Sequence, residues 1–273
     1  MAVEPHTTQP TVRRRAIGRL AALSVGLVTI ATPAVTQMVS PVDPGALPFF
    51  VGERLTYKVR TSRFGGSGKG EMRVDGPVDV RGTPTYLLSS TIETRVGPMK
   101  AVNRSQSWLD PHRMAALRFR KRERSAVSSG SEAVEMFPDR RSWEAEGGRS
   151  GASDTDAPLD ELSFIYFLRT VPLEADSTYR FDRHFDQARN PTTVRVVGRE
   201  TVTTPAGRFA TIVLEMRVQD PERYRGEGVI RINLTDDHCR LPVRIESKVP
   251  VAGTATLTLD EVGPRVAHAM PAQ

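Results

Sequence analysis

The chain has 273 residues, 38% hydrophobic and 26% charged, with one cysteine and a net charge of +6. That length and apolar content exclude a wholly disordered chain and allow a sizeable core in one or two domains. A single cysteine excludes an internal disulfide, so stability must come from packing.

Taken in chain order, the first feature is Arg13, Arg14 and Arg15 ahead of an apolar run over residues 20–30, followed by the small residues Thr32 and Ala34. A positive start, a short apolar middle and a small-residue exit describe a secretory signal peptide over residues 1–34. A membrane span needs about 20 apolar residues, and the run between Arg19 and Pro33 is too short. Cleavage after Ala34 removes four arginines and Glu4, which lowers the net charge by three, to +3. The exported body is then only mildly basic, its expected place is the periplasm, and nucleic acid is not an expected partner. Residues 35–47 are rich in proline and small residues, as in a flexible tether. One β-rich domain is expected over 48–262, and a disordered tail over 263–273.

Within the domain, Leu55, Tyr57 and Val59 alternate with Arg54, Thr56, Lys58 and Arg60, the period of a strand with one wet face. Gly65-Gly66-Ser67-Gly68 then reads as a turn. Further strands are predicted at about 70–76, 84–94, 99–109, 114–124 and 131–137, with a weaker one around Trp143. Residues 147–157 are polar and read as flexible. The period then changes: Pro158 suits a first helical turn, and Asp160 with Glu161 suits the positive end of a helix dipole. Leu159, Leu162, Phe164, Ile165, Tyr166, Phe167 and Leu168 are apolar on nearly every side, so one short buried helix is predicted over 159–170, stopped by Pro172. Strands return at about 178–186, 192–203, 208–219, 227–235, 240–249 and 254–262. The clearest hairpin signal is Thr204-Pro205-Ala206-Gly207 between two alternating runs.

The fold class is therefore mainly β: a large curved antiparallel sheet of about 12 strands, a barrel or half-barrel, wrapped around one short buried helix. Short turns favour antiparallel neighbours, and so many strands must curl, because twist accumulates and open edges invite aggregation.

Four residue groups invite a functional reading. Trp108, Phe119, Phe164, Tyr166, Phe167, Phe181, Phe209 and Met216 could line a cavity for an acyl chain or another apolar ligand, although ordinary core packing explains the same pattern. Arg118, Arg120, Arg122 and Arg124 would share one strand face, opposite Leu117 and Phe119. They could receive phosphates or carboxylates, or simply solubilise the sheet. Asp182, His184 and Asp186 would share a face of the 178–186 strand, but alternation alone explains their spacing and no further zinc ligand lies nearby. Cys239 beside His238 is not read as a nucleophile, since strand neighbours point to opposite faces. Asp236, Asp237 and His238 read as a hairpin turn. No nucleophile elbow, phosphate loop or metalloprotease motif is present, so no catalytic residue, metal or cofactor is expected.

Four segments resemble one family. Pro48-Phe49-Phe50-Val51-Gly52-Glu53-Arg54-Leu55-Thr56-Tyr57 resembles the opening of domain-of-unknown-function family 3108, a group of bacterial envelope proteins. Asp160-Glu161-Leu162-Ser163-Phe164-Ile165-Tyr166-Phe167-Leu168-Arg169 is similar to its single-helix segment. Thr204-Pro205-Ala206-Gly207-Arg208-Phe209 is similar to its hairpin, and Leu234-Thr235-Asp236-Asp237 with Arg240-Leu241-Pro242-Val243 to its late strand pair. The resemblance implies an exported protein with no established activity. It also implies a half-barrel like those of periplasmic lipoprotein carriers, with one helix where such carriers have several. Three functions follow as expectations: a non-enzymatic binder of a hydrophobic or amphipathic envelope component such as a lipid or acyl chain, an envelope scaffold that binds a protein through a sheet edge, and, last, a hydrolase built on Asp182 and His184.

Overall fold

A computed structural model describes residues 44–63, 65–126, 129–220, 226–249 and 253–263, all within one compact unit. The leader expected at 1–34, most of the tether and the tail expected after 263 lie outside the described residues. None of the described helices is long and apolar enough to cross a membrane.

Among the described residues, fourteen strands form one antiparallel sheet. The first half comprises β1 (Arg54–Thr61), β2 (Ser67–Val80), β3 (Thr83–Val96), β4 (Met99–Asp110), β5 (Ala115–Arg124), β6 (Ser129–Phe137), β7 (Ser142–Ala145) and β8 (Ser150–Ala152). After the helix α1 (Glu161–Leu168) come β9 (Thr178–Phe181), β10 (Thr192–Thr204), β11 (Gly207–Asp220), β12 (Gly226–Thr235), β13 (Pro242–Val249) and β14 (Gly253–Val262). Each half is a meander. The last strand, β14, pairs with β1, so the sheet runs β8 to β1, then β14 down to β9, and its two edges are the strands that flank α1 in sequence.

Residues 158–159 tie the start of β5 to the segment that follows β9. Ala116 N–H donates to the Pro158 carbonyl (2.7 Å), Leu159 N–H to the Arg183 carbonyl (2.6 Å) and Phe185 N–H to the Leu159 carbonyl (3.0 Å). The Arg183 side chain completes the clasp, donating to the carbonyls of Ala157 and Met114 while its guanidinium lies 4.4 Å from the Phe167 ring centroid.

The helix lies against the inner face. Leu162, Phe164, Tyr166, Phe167 and Leu168 are all buried, in the main core with Leu55, Tyr57, Val59 and the inward residues of β10–β14. So short a helix is marginal alone and is held by this packing and by its caps. Asp160 accepts from the Leu162 and Ser163 amides, and Ser163 Oγ accepts from the Asp160 amide, which makes a capping box. The helix is thus shorter at both ends than the expected 159–170.

Other departures from the sequence reading have local causes. Ser67 and Gly68 belong to β2 rather than to a turn: they pair with β1 on one side and β3 on the other, so closely that a Cβ on Gly68 would lie 1.8 Å from the Glu93 carbonyl oxygen of β3. Beyond Asp75 the same strand continues past Pro77 through a register shift, where a missing N–H is tolerated. Residues 147–157, read as flexible, contain β8, whose Gly151 leaves room for the Trp143 ring. The strand expected over 178–186 ends at Phe181, since Arg183 turns inward to its carbonyl partners and Asp186 caps a 3-10 turn over Gln187–Arg189.

Candidate functional site

A cleft of about 200 Å³ opens beside the N-terminal half of α1. Its apolar wall is made by Ile92, Leu162, Phe164, Ile165, Val218 and Ile230, contributed by β3, α1, β11 and β12. The polar side includes Asn103, Ser105, Asp160, His184, Arg189 and Asp220. Alternation in the strands delivers these side chains inward: Ser105 and Ser107 are buried, while Arg104 and Gln106, which alternate with them, are exposed.

Charged groups bridge the mouth from one half of the sheet to the other. Lys121 of β5 donates to both carboxylate oxygens of Glu161 (2.9 and 3.0 Å). Arg189 lies 4.0 Å from Glu161 and 3.6 Å from Asp220 of β11. Asp160 sits deeper, accepting from Ser107 Oγ at 2.5 Å. Burial pushes the Asp160 carboxyl up to about 6, against the lowering effect of those hydrogen bonds. His184 moves the other way, down to about 4, through burial and the nearby Arg189. Its Nδ1 accepts from the Asp186 amide (3.1 Å), which suits a neutral ring. Burial also raises the Glu132 carboxyl. Two groups with opposed shifts, Asp160 and His184, therefore face one cleft.

Of the aromatic and methionine residues expected to line a cavity, Phe164 and Met216 reach this cleft. Phe167 and Phe181 pack edge to face at 5.1 Å in the main core, which also takes Tyr166 and Phe209. Phe119 joins a separate cluster with Val134, Met136, Trp143 and Phe185. Trp108 lies on the outer face with Val80 and Leu117. Leu117 thus parts from Phe119, contrary to the sequence reading, because the β4–β5 register shifts between Trp108 and Leu109.

Arg118, Arg120, Arg122 and Arg124 do share one face, the one turned away from α1, as Lys121 on the opposite face shows by reaching Glu161. They cannot select a headgroup for the cleft. Asp182 is exposed beside Arg180, Asp186 caps a turn, and His184 alone of that trio lines the cleft. No group of three metal-ligating side chains occurs among the described residues. Cys239 and His238 correct another expectation. They lie in a turn organised by Asp237, not in a strand, so strand alternation does not separate them and Sγ approaches Nε2 at 3.4 Å. Burial and Asp237 push the Cys239 thiol up, which opposes a nucleophilic role.

Sequence reasoning passed over the ion pair at the other end of α1. Arg169 donates to both oxygens of Glu53 (2.6 and 2.8 Å), to the Cys239 carbonyl (2.9 and 3.2 Å) and to the Pro48 carbonyl (2.6 Å), with both side chains almost fully buried. Tyr57 Oη donates to the Pro242 carbonyl nearby (3.0 Å). Three of the four segments that carry the family resemblance meet here. The signal was a charge in each segment beside residues expected to be buried.

The family described as a protein of unknown function, DUF3108, matches residues 54–260, well over half of the chain, so the chain belongs to that family. No curated protein sequence matches it. Among solved structures, a β-barrel-like DUF1849 protein from Brucella abortus is similar at TM-score 0.54 and 11% identity, over 78% of this chain and 98% of that one. A candidate exported protein with a YmcC-like fold from Bacteroides fragilis gives TM-score 0.30 and 14% identity, over 80% of this chain and 98% of that one. A candidate lipoprotein from Parabacteroides distasonis gives 0.30 and 12%, over 83% and 100%. The first likeness extends to the fold alone.

Proposed function

We propose that this DUF3108 protein is an exported cell-envelope protein that binds, without catalysis, a hydrophobic or amphipathic molecule in the cleft beside α1. The observation that carries this reading is the cleft's division into an apolar wall and a charged rim. Apolar burial favours a tail against Ile92, Phe164 and Val218 at about 25 cal/mol per Å² before ordering costs. At about 200 Å³ the space is below the roughly 300 Å³ at which ordinary ligand sites begin. One short tail or a small amphiphile fits; a multi-chain lipid anchor does not. The leader pattern at residues 1–34 supports export. The polar groups support binding over chemistry, since Asp160 caps a helix and Glu161 is held by Lys121.

Native mass spectrometry of protein purified from the periplasm, with lipid extraction, tests the proposal. A co-purifying small amphiphile is expected, and Val218→Trp should abolish it at unchanged fold. No bound molecule, together with no thermal shift from fatty acids, lysophospholipids or phospholipids, would sink it.

A second reading has its own observation. The edge strand β9 pairs with β10 at Thr192–Arg195 and the Val196 amide still reaches the Ser177 carbonyl (2.9 Å), but from Val197, 36% exposed, β10 has no ladder on that side among the described residues. A partner strand could add there. Hydrogen exchange that slows at residues 197–203 on mixing with envelope extract, while the cleft is unaffected, would favour this scaffold role.

A further inference from the structure

We propose that the outer face of β4 and β5 docks on an anionic phospholipid bilayer. Arg208 of β11 aside, the exposed arginines of β10–β13 differ from those of β4 and β5 in their partners. On β10–β13, Arg195, Arg199, Arg217, Arg231 and Arg244 each lie within ion-pair distance of a carboxylate. On β4 and β5, Arg104, Arg120, Arg122 and Arg124 are exposed, and among the described residues no carboxylate lies within ion-pair distance of any of them, although Glu93 feels the charge of Arg104. The two outward acids of this region are already engaged: Glu135 by Arg118 and Arg81, and Glu93 by Lys100.

The register sharpens the point. Arg104 and Arg122 are directly opposite each other, and like charges so placed destabilise a sheet. On the flanking strands the residues level with them are Thr91 and Ser131, neither of which offers a negative charge. A solubilising face needs no such concentration of one sign. Beneath the patch, Trp108 supports the guanidiniums of Arg118 and Arg120, whose centres lie 5.6 and 5.8 Å from its ring centroid. Clustered guanidiniums suit the phosphate headgroups of an anionic bilayer.

Placement adds a consequence. Arg104 lies between Asn103 and Ser105, which line the cleft from the other face of the same wall. Docking therefore brings that wall to the bilayer surface, where an amphiphile would enter or leave. This last step rests on the ligand-binding reading; the docking itself does not.

Co-sedimentation with phosphatidylcholine vesicles, with and without phosphatidylglycerol, tests the docking. Each basic residue at an anionic surface contributes roughly fivefold, so Arg104→Ser/Arg120→Ser/Arg122→Ser/Arg124→Ser should lose several-hundredfold in partitioning, and Arg122→Ser/Arg124→Ser more than tenfold. Removing the like-charge pair should leave the melting temperature equal or higher. A control that loses the same net charge, Arg195→Ser/Arg217→Ser/Arg231→Ser/Arg244→Ser, should stay within about threefold of the parent. The N-terminal apolar run is common to all variants and cancels. Equal binding to zwitterionic vesicles, equal loss in the control, or equal affinity for soluble polyphosphate would each overturn the proposal. Because co-sedimentation with these outer-face variants reads attachment to the vesicle and not occupancy of the cleft, failure here leaves the cleft reading standing.

Discussion

At its C-terminal end α1 hands Arg169 to Glu53 inside a buried cage of carbonyls, whereas at its N-terminal end Asp160 and Glu161 line an open cleft. The same helix is thus fastened at one end by a fully desolvated charge pair and at the other by a cap and a charge network that leave space beside them. Buried pairs tolerate little change, since either charge alone is stranded. Caps and rims are worth less and can give way without loss of the fold. The comparison teaches that rigidity and access have been put at opposite ends of one short element.

The hardest way to break that contrast is at Arg169. Arg169→Met leaves Glu53 buried and unpaired, and should cost about 3–5 kcal/mol. For a domain of this size that lowers the melting temperature by roughly 6–20 °C. Replacing both partners, as Glu53→Leu/Arg169→Met, should recover most of the loss. A single variant within about 1 kcal/mol of the parent would mean that the pair is not the fastening point. Asp160→Ala removes the cap and the Ser107 partner together, and denaturant melts should show a smaller cost of about 1–2 kcal/mol.

Acidity sharpens the picture at the cleft end. Asp160 is raised to about 6 in the fold from 3.8, so the stability it contributes is full below pH 4 and is lost as pH rises through 6. His184 is lowered to about 4 from 6.5, so its contribution is present above pH 6.5 and is lost as pH falls through 4. The two slopes oppose each other. Asp160→Asn should therefore be more stable at pH 6.5 than at pH 4, His184→Gln the reverse, and the parent flattest of the three. Parallel melting-temperature profiles over that range would refute the assignment. The smallest effect is expected at Tyr166, whose buried hydroxyl has no hydrogen-bond partner among the described residues. Tyr166→Phe should match or exceed the parent by up to about 1 kcal/mol in the same melts.

Much of the fold was legible because its signals are local. Leu55, Tyr57 and Val59 alternate over one strand, Thr204 to Gly207 make one turn, and the helix announces itself by apolar residues on every side. The expected strand over 178–186 overran because Asp182, Arg183 and His184 continue an alternation that is broken only by distant carbonyls at Met114 and Ala157. The site was less legible still. Ile92 and Ile230 are ordinary strand residues until the sheet curls, and Glu53 and Arg169 are 116 positions apart. Nothing in either neighbourhood names its partner. Face assignment failed at Leu117 for a related reason: one bulge reverses the parity that alternation assumes.

Because β14 returns to β1, with Leu55 across from Val262 and Gly263 N–H bonded to the Arg54 carbonyl, the first and last strands of the sheet are next-door neighbours. Topologically the sheet is a loop of chain whose natural opening falls among its most central pairings. A circular permutant that joins residue 263 to residue 44 through a linker, so that Pro48 and Glu53 are kept, and begins instead between β8 and α1, would keep every ladder while placing its new ends at the clasp. Such a molecule would separate the clasp's role from that of the chain's continuity, and would show whether the loop of strands holds its curvature when the belt across it is unbuckled.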